Sequence, residues 1–178
     1  MEEKFRKRLK EEKGKFLHYC LDEVMLSNGH ISTREMVTHP GAVGIVAVTP
    51  EQELVLVKQY RYPVQSVLYE IPAGKLETGE DPAEAAQREL AEETGYNAGN
   101  WEKLTSLYTA PGFSNEFMHL YLATNLVPKK AHPDPDEIIT YDTIPLSKVQ
   151  QMVVNGEIKD GKTVIAVLWL IMRERQSS

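Results

Sequence analysis

The chain predicts a mixed α+β fold, a three-layer α/β/α sandwich carrying extra β-strands at its N-terminus. Three observations lead there. The β-rich runs arrive in hairpin-like groups, the helical segments come late, and 178 residues with 42% hydrophobic content suffice for one sizeable core. Grouped strands with late helices imply a mixed central sheet rather than a purely parallel one.

The elements follow in order. Residues 1–14 read as a solvated arm or a short helix, with no apolar face to bury. Lys15–Met25 is an extended stretch closed by Ser27-Asn28-Gly29, and Thr33–Val37 returns as the second arm of that hairpin. Ala42–Val48 and Leu54–Gln59 are β-rich runs around a Thr49–Gln52 turn. Val67–Ile71 is a short strand ended by Pro72 and Gly74. A helix is predicted over 82–94, because Asp81 suits the N-cap, Pro82 the first helical position and Glu84 a capping box, with Gly95 as its stop. Strands near Leu104–Thr109, Phe117–Ala123 and Ile138–Ile144 come next, with a long loop over Pro128–Asp136. Helices over Ser147–Asn155 and Thr163–Arg173 close the chain. The expected division is an N-terminal arm with β-strands over 1–38 and a main domain over 39–178.

Composition narrows the function. With 20 Lys+Arg against 26 Asp+Glu the net charge is −6, which argues against nucleic acid as a partner. The longest apolar run, Val164–Met172, is far short of the ~20 residues of a membrane span, so no membrane role is expected. The N-terminus is charged and lacks a signal-peptide core, and Cys20 stands alone, so a cytoplasmic protein without a disulfide framework is expected. The five histidines show no metal spacing.

The negative charge is uneven. Glu77, Glu80, Asp81, Glu84, Glu89, Glu92 and Glu93 face Arg88 alone between residues 77 and 93. On a helix Glu89, Glu92 and Glu93 share one stripe, where like charges repel by a few tenths of a kcal/mol per pair. A solvated acidic face is one reading. A site for a hard divalent cation with oxygen ligands is the other.

The surroundings of the stripe decide between them. Gly74, Glu80 and Arg88-Glu89-Leu90-Ala91-Glu92-Glu93-Thr94-Gly95-Tyr96 stand at the spacing G-x5-E-x7-R-E-U-x-E-E-x-G-U, where U is a bulky apolar residue. This resembles the Nudix box, departing from it only where Tyr96 replaces an aliphatic residue. The resemblance implies a Nudix-type sandwich and hydrolysis of a nucleoside diphosphate linked to another moiety, with Mg²⁺ or Mn²⁺ as cofactor. It implies that Glu89 and Glu93 ligate metal with Glu92 close behind and the Ala73 carbonyl completing the site. Glu92 and Arg88 then join the catalytic set, Arg88 by holding the carboxylates in place with Glu80 as its expected partner. Gly74 would allow close backbone approach.

The likeness extends further. Gln59-Tyr60-Arg61-Tyr62, Glu70-Ile71-Pro72-Ala73-Gly74 and Ala110-Pro111-Gly112-Phe113-Ser114-Asn115-Glu116 resemble the ADP-ribose pyrophosphatase and nucleoside diphosphate sugar hydrolase group. Pro111 lies sixteen residues past Gly95, as a proline does in that group. The implied reaction is cleavage of ADP-ribose to AMP and ribose 5-phosphate, with ADP-glucose or GDP-mannose type sugars as the alternative. Glu116 could accept hydrogen bonds from ribose hydroxyls or be a surface carboxylate. Arg61 and Arg34 could contact phosphate or base, or be solvated strand residues. Phe16 or Tyr19 could stack on the base, or serve a core or interface role. A homodimer whose N-terminal strands cross to the partner follows from the same resemblance. The general base in that group is a glutamate on a loop after the box; of Asp134, Asp136 and Glu137, the last is favoured here.

Two competing readings need weighing. Gly156-Glu157-Ile158-Lys159-Asp160-Gly161-Lys162-Thr163 satisfies the P-loop pattern, but the segment before it reads as helix rather than buried strand, so a helix–helix turn is preferred. A Nudix-fold ligand-binding module without catalysis would be expected to lack a box glutamate, and none is missing.

Overall fold

The computed structural model describes residues 1–129 and 138–177. Its elements run β1 (Lys4–Lys13), β2 (His18–Met25), β3 (Ile31–Thr38), β4 (Ala42–Ala47), β5 (Glu53–Arg61), a 3₁₀ turn (Tyr62–Val64), β6 (Ser66–Glu70), β7 (Ala73–Lys75), α1 (Pro82–Thr94), β8 (Tyr96–Tyr108), β9 (Phe117–Pro128), β10 (Ile139–Pro145), α2 (Leu146–Val154) and α3 (Gly161–Ser177). The chain forms two compact units, Met1–Gly41 with Leu107–Met118 and Ala42–Ser106 with His119–Ser178.

In the first unit β1, β2 and β3 form an antiparallel sheet in that order. The predicted arm or short helix over 1–14 is corrected to a strand. Every residue of β1 is exposed, so no apolar face announces it. Its anchor is polar: the Nε and Nη2 of the Arg8 guanidinium hold the buried Asp22 carboxylate on β2, and Arg6 bonds Glu23 at 3.1 Å. Alternation along β2 buries Cys20, Asp22 and Val24 on one face. The Leu107–Met118 segment joins this unit where the Val37 N–H donates to the Phe113 carbonyl at 2.7 Å.

The second unit holds two sheets, β10-β5-β6 and β7-β4-β9-β8. All six residues of β4 are buried, and successive side chains of a strand point to opposite faces, so both faces of β4 are covered. One face is seen in the cluster of Val43, Ile45 and Ala47 with Val55, Tyr121 and Ala123 against Ala85, Ala86 and Leu90 of α1. Each large side chain so buried contributes about 1.5–3 kcal/mol. On β5 the alternation sends Leu54 and Leu56 to the face away from Val55 and Val57, and all four are buried. Helices α2 and α3 pack against each other, α2 on β5 and β10 and α3 on β6, while α1 packs on β4 and β7. The layered α+β architecture is therefore present.

Helix α1 begins and ends where its caps predict. The Asp81 carboxylate accepts the Ala83 and Glu84 N–H groups at 2.8 and 3.4 Å, Pro82 opens the helix, and Gly95 closes it at φ 68° with its N–H on the Ala91 carbonyl. β7 and the 3₁₀ turn, each three residues long, carry no sequence signal of their own.

Candidate active site

Burial of Ala86, Leu90, Glu93 and Thr94 turns one stripe of α1 inward and leaves Gln87, Arg88 and Glu92 along the outer side. Arg88 is the hub of the acidic stripe. Its Nε and Nη2 grip Glu80 at 2.8 and 3.0 Å, its Nη1 donates to Glu89 at 2.8 Å and Glu92 at 2.9 Å, and Nη2 also reaches the Lys75 carbonyl at 3.3 Å. The fork on Glu80 is the planar bidentate pairing that guanidinium favours. These bonds, that to Glu80 foremost, push the Arg88 guanidinium still further above its ordinary pKa. Arg88 likewise holds the Glu80 carboxyl below its ordinary pKa against burial, helped by the Glu77 N–H. The predicted partnership of Arg88 with Glu80 is present.

β7 brings the far end of the motif against the helix. The Ala73 N–H donates to Glu93 Oε2 at 3.0 Å, and Glu93 is buried. A Cβ on Gly74 would overlap the Glu89 carboxylate, so the missing side chain is what admits that carboxylate to the β7 backbone. Ala73, Gly74, Glu89 and Glu93 are thus neighbours, with Glu92 joined through Arg88. Tyr96, the departure from the box pattern, packs against the core cluster and meets Tyr141 edge-on at 5.8 Å.

Among the described residues no three His, Cys, Asp or Glu side chains are gathered as a metal-sized group. Arg88 engages Glu89 Oε1 and Glu92 Oε2. The donor set still suits a hard divalent cation, being carboxylate oxygens beside a backbone segment with a Gly-shaped space. Beside Arg88 and Glu92 opens a cleft of about 460 Å³, further lined by Gln87, Asn97, Trp101 and Lys129.

Arg61 lies in the same unit. Its Nε and Nη2 both bond the Glu70 carboxylate at 2.7 Å, and the charge of Glu93 also acts on its guanidinium. The other predicted binding residues lie in the first unit. Phe16 meets His39 edge-on at 6.0 Å, and His39 Nε2 lies 3.7 Å from Glu116, whose carboxylate also accepts the Thr109 hydroxyl. His39, one of the five histidines without metal spacing, therefore stands between Phe16 and Glu116; no spacing rule marks it. Tyr19 on β2 lies under Lys10 at 5.8 Å, and Arg34 on β3 is paired with Glu3 at 2.8 Å through Nε. Glu137, with Asp134 and Asp136, lies outside the described residues.

Comparison with known proteins supplies a frame for this geometry. The NUDIX domain family model matches residues 38–165. An ADP-ribose pyrophosphatase of Bacillus subtilis (strain 168) is 43% identical over 163 residues, covering 90% of this chain and 88% of its own. A methanol dehydrogenase activator of Bacillus methanolicus is 46% identical over 163 residues, with the same shares. A solved structure described as an ADP compounds hydrolase has a TM-score of 0.84 at 24% identity, covers 98% of this chain and 96% of that one, and bears on the fold alone.

Proposed function

The chain belongs to the Nudix family of hydrolases, and from that premise we propose that it cleaves the pyrophosphate of ADP-ribose to AMP and ribose 5-phosphate. The observation that carries the reading is the junction of β7 with α1, where Ala73 and Gly74 meet Glu93 and Glu89 under the control of Arg88. The 43% identity to a protein named for that activity supports the substrate.

Nudix hydrolases generally use divalent metal ions. In this chain Glu89 and Glu93, with Glu92 and the Ala73 carbonyl, would hold Mg²⁺, or Mn²⁺ in its place. A bound metal supplies neutralisation of phosphate charge and a lowered pKa for its water. The protein's own share is placement. Arg88 keeps three carboxylates from dispersing, Glu93 is fixed by the Ala73 N–H, and Arg61 offers a guanidinium to a phosphate oxygen. Glu137 accepts the proton of the attacking water as general base. Glu116 accepts from ribose hydroxyls and Phe16 stacks on the base, while Tyr19 and Arg34 serve the same substrate from the N-terminal strands. The working form is a cytoplasmic homodimer, with residues 1–38 as its dimer-forming segment and 39–178 as the hydrolase domain. Among the described residues no helix is long and apolar enough to cross a membrane.

Product analysis over ADP-ribose, ADP-glucose, GDP-mannose, NADH, Ap4A and nucleoside triphosphates, with Mg²⁺ and with Mn²⁺, tests the reading. AMP and ribose 5-phosphate from ADP-ribose are expected as the fastest products. A preference for triphosphates would sink the diphosphate assignment, and tight binding without turnover would leave a ligand-binding module. Identity to the Bacillus methanolicus activator favours one second reading, stimulation of a dehydrogenase. Adding the chain to a methanol dehydrogenase assay tests it, with Glu93→Gln separating turnover from contact.

A further inference from the structure

The P-loop-like stretch has a structural use in this fold. Asp160 caps α3 by accepting the Thr163 N–H at 3.0 Å and the Thr163 hydroxyl at 2.6 Å. The same Thr163 oxygen accepts the Ile71 N–H at 2.8 Å, tying the first turn of α3 to the chain just past β6. Beside it the Lys162 ammonium bonds Glu70 and lies 3.1 Å from Asp160. Glu70 is therefore a carboxylate with 2% of its side chain exposed, held by Lys162 on one side and bidentately by Arg61 on the other. Burial alone would raise its pKa, but Arg61 and Lys162 together outweigh burial and keep it ionised.

The charges in this chain alternate, Arg61, Glu70, Lys162, Asp160. A buried ion network is a poor way to gain stability, since apolar residues of similar volume usually do as well. What it supplies is orientation. Arg61 is locked at Nε and Nη2, its side chain is 40% exposed, and among the described residues Nη1 has no hydrogen-bond acceptor. A guanidinium held along its Nε/Nη2 edge with Nη1 open is a pre-organised receptor for a phosphate oxygen.

We propose that Lys162 is a positioning residue that acts through Glu70 to fix Arg61 for the substrate diphosphate. The role rests on the pyrophosphate reading for what Arg61 binds, but not for how Arg61 is held.

The experiment separates the two. In ¹H–¹⁵N spectra the Arg61 Nε–H resonance, identified by its absence in Arg61→Met, is expected to exchange slowly in wild type and rapidly in Lys162→Met. Lys162→Gln is carried alongside, since it keeps a donor for Glu70 should the methionine variant fail to fold. Lys162→Arg, which restores charge and donors, is expected to recover slow exchange. In turnover of ADP-ribose, Lys162→Met and Arg61→Met are each expected to lose about tenfold in kcat/KM. The double variant should lose no more than about twofold beyond Arg61→Met, because the two act through one group. Slow Arg61 exchange retained in Lys162→Met, or in Lys162→Gln where the methionine variant does not fold, or losses that multiply in the double variant, would overturn the proposal. A wild-type chain inert toward ADP-ribose would defeat the substrate reading, and the resonance alone would then decide how Arg61 is held.

Discussion

The Glu89 carboxylate occupies the space that a Cβ on residue 74 would fill, so Gly74 and Glu89 are a single fitted pair. Fourteen residues and a helix start separate them in the chain. The motif spacing is thus a packing relation: the strand that carries Ala73 can lie against the acid stripe of α1 because residue 74 has no side chain. The Ala73 N–H on Glu93 fastens the same junction from its other end.

Gly74→Ala should therefore disturb the acid stripe far more than the fold. The obstructed atoms belong to the end of a flexible side chain, so Glu89 can swing aside while the backbone stays. The expected outcome is a loss of about tenfold or more in metal-dependent turnover, a higher metal concentration for half-activation, and a melting temperature close to wild type. An unaltered metal titration would remove Glu89 from the proposed metal ligands.

Glu80 makes the stability of this region acid-sensitive. Arg88 lowers its folded-state pKa below the ordinary 4.5, so its contribution is fully present above that value and disappears as pH falls through the folded-state pKa. Glu80→Gln should cost about 1 kcal/mol at neutral pH, discounted for the partial exposure of the pair. Thermal melts of wild type and variant should differ at pH 7 and converge below pH 4.5. Glu70 loses its charge in the same direction, but it is common to both proteins and cancels in the difference. A gap that stayed constant down to pH 3 would show that the charge of Glu80 is not what Arg88 uses.

Glu116 is expected to act on binding. The Gly41 N–H donates to His39 Nδ1 at 3.1 Å, which places the ring proton on Nε2, facing Glu116. The Thr109 hydroxyl also donates to Glu116, and a glutamine amide oxygen could take over that bond without loss of fold. Glu116→Gln should raise the KM for ADP-ribose by about tenfold with a smaller change in kcat, the worth of a charged hydrogen bond to a hydroxyl. Steady-state kinetics check it, and an unchanged KM would take Glu116 out of substrate recognition.

Some of this was legible in sequence and some was not, for physical reasons. The bounds of α1 were readable because Asp81, Pro82 and Gly95 act on their own neighbours, within one turn of each residue. β1 was not, because Lys4–Lys13 has no buried face and its anchor is the pairing of Arg8 with Asp22 across the sheet. β8 begins at Tyr96 rather than near Leu104, since Asn97, Gly99 and Asn100 read locally as turn while Gly99 packs on Asn125 of β9. The acid stripe and Arg88 were visible as a spacing. The link from Lys162 to Glu70 spans 92 residues and leaves no trace in spacing at all.

The end of α1 offers the cleanest test of backbone conformation. Gly95 sits at φ 68° and ψ 25°, the left-handed region that a Cβ disfavours, and its N–H closes the helix on Ala91 at 3.0 Å. Its carbonyl accepts the Lys129 N–H at 2.6 Å, so the residue also pins the chain just past β9. Gly95→Ala should cost about 1 kcal/mol, which for a chain of this length lowers the melting temperature by about 2–4 °C. Gly95→Asn should cost less, because asparagine tolerates the left-handed region. The order glycine, asparagine, alanine in melting temperature is the expected result. If alanine matched glycine, the helix end would have to relax out of the left-handed conformation, and the Lys129 contact would be lost with it.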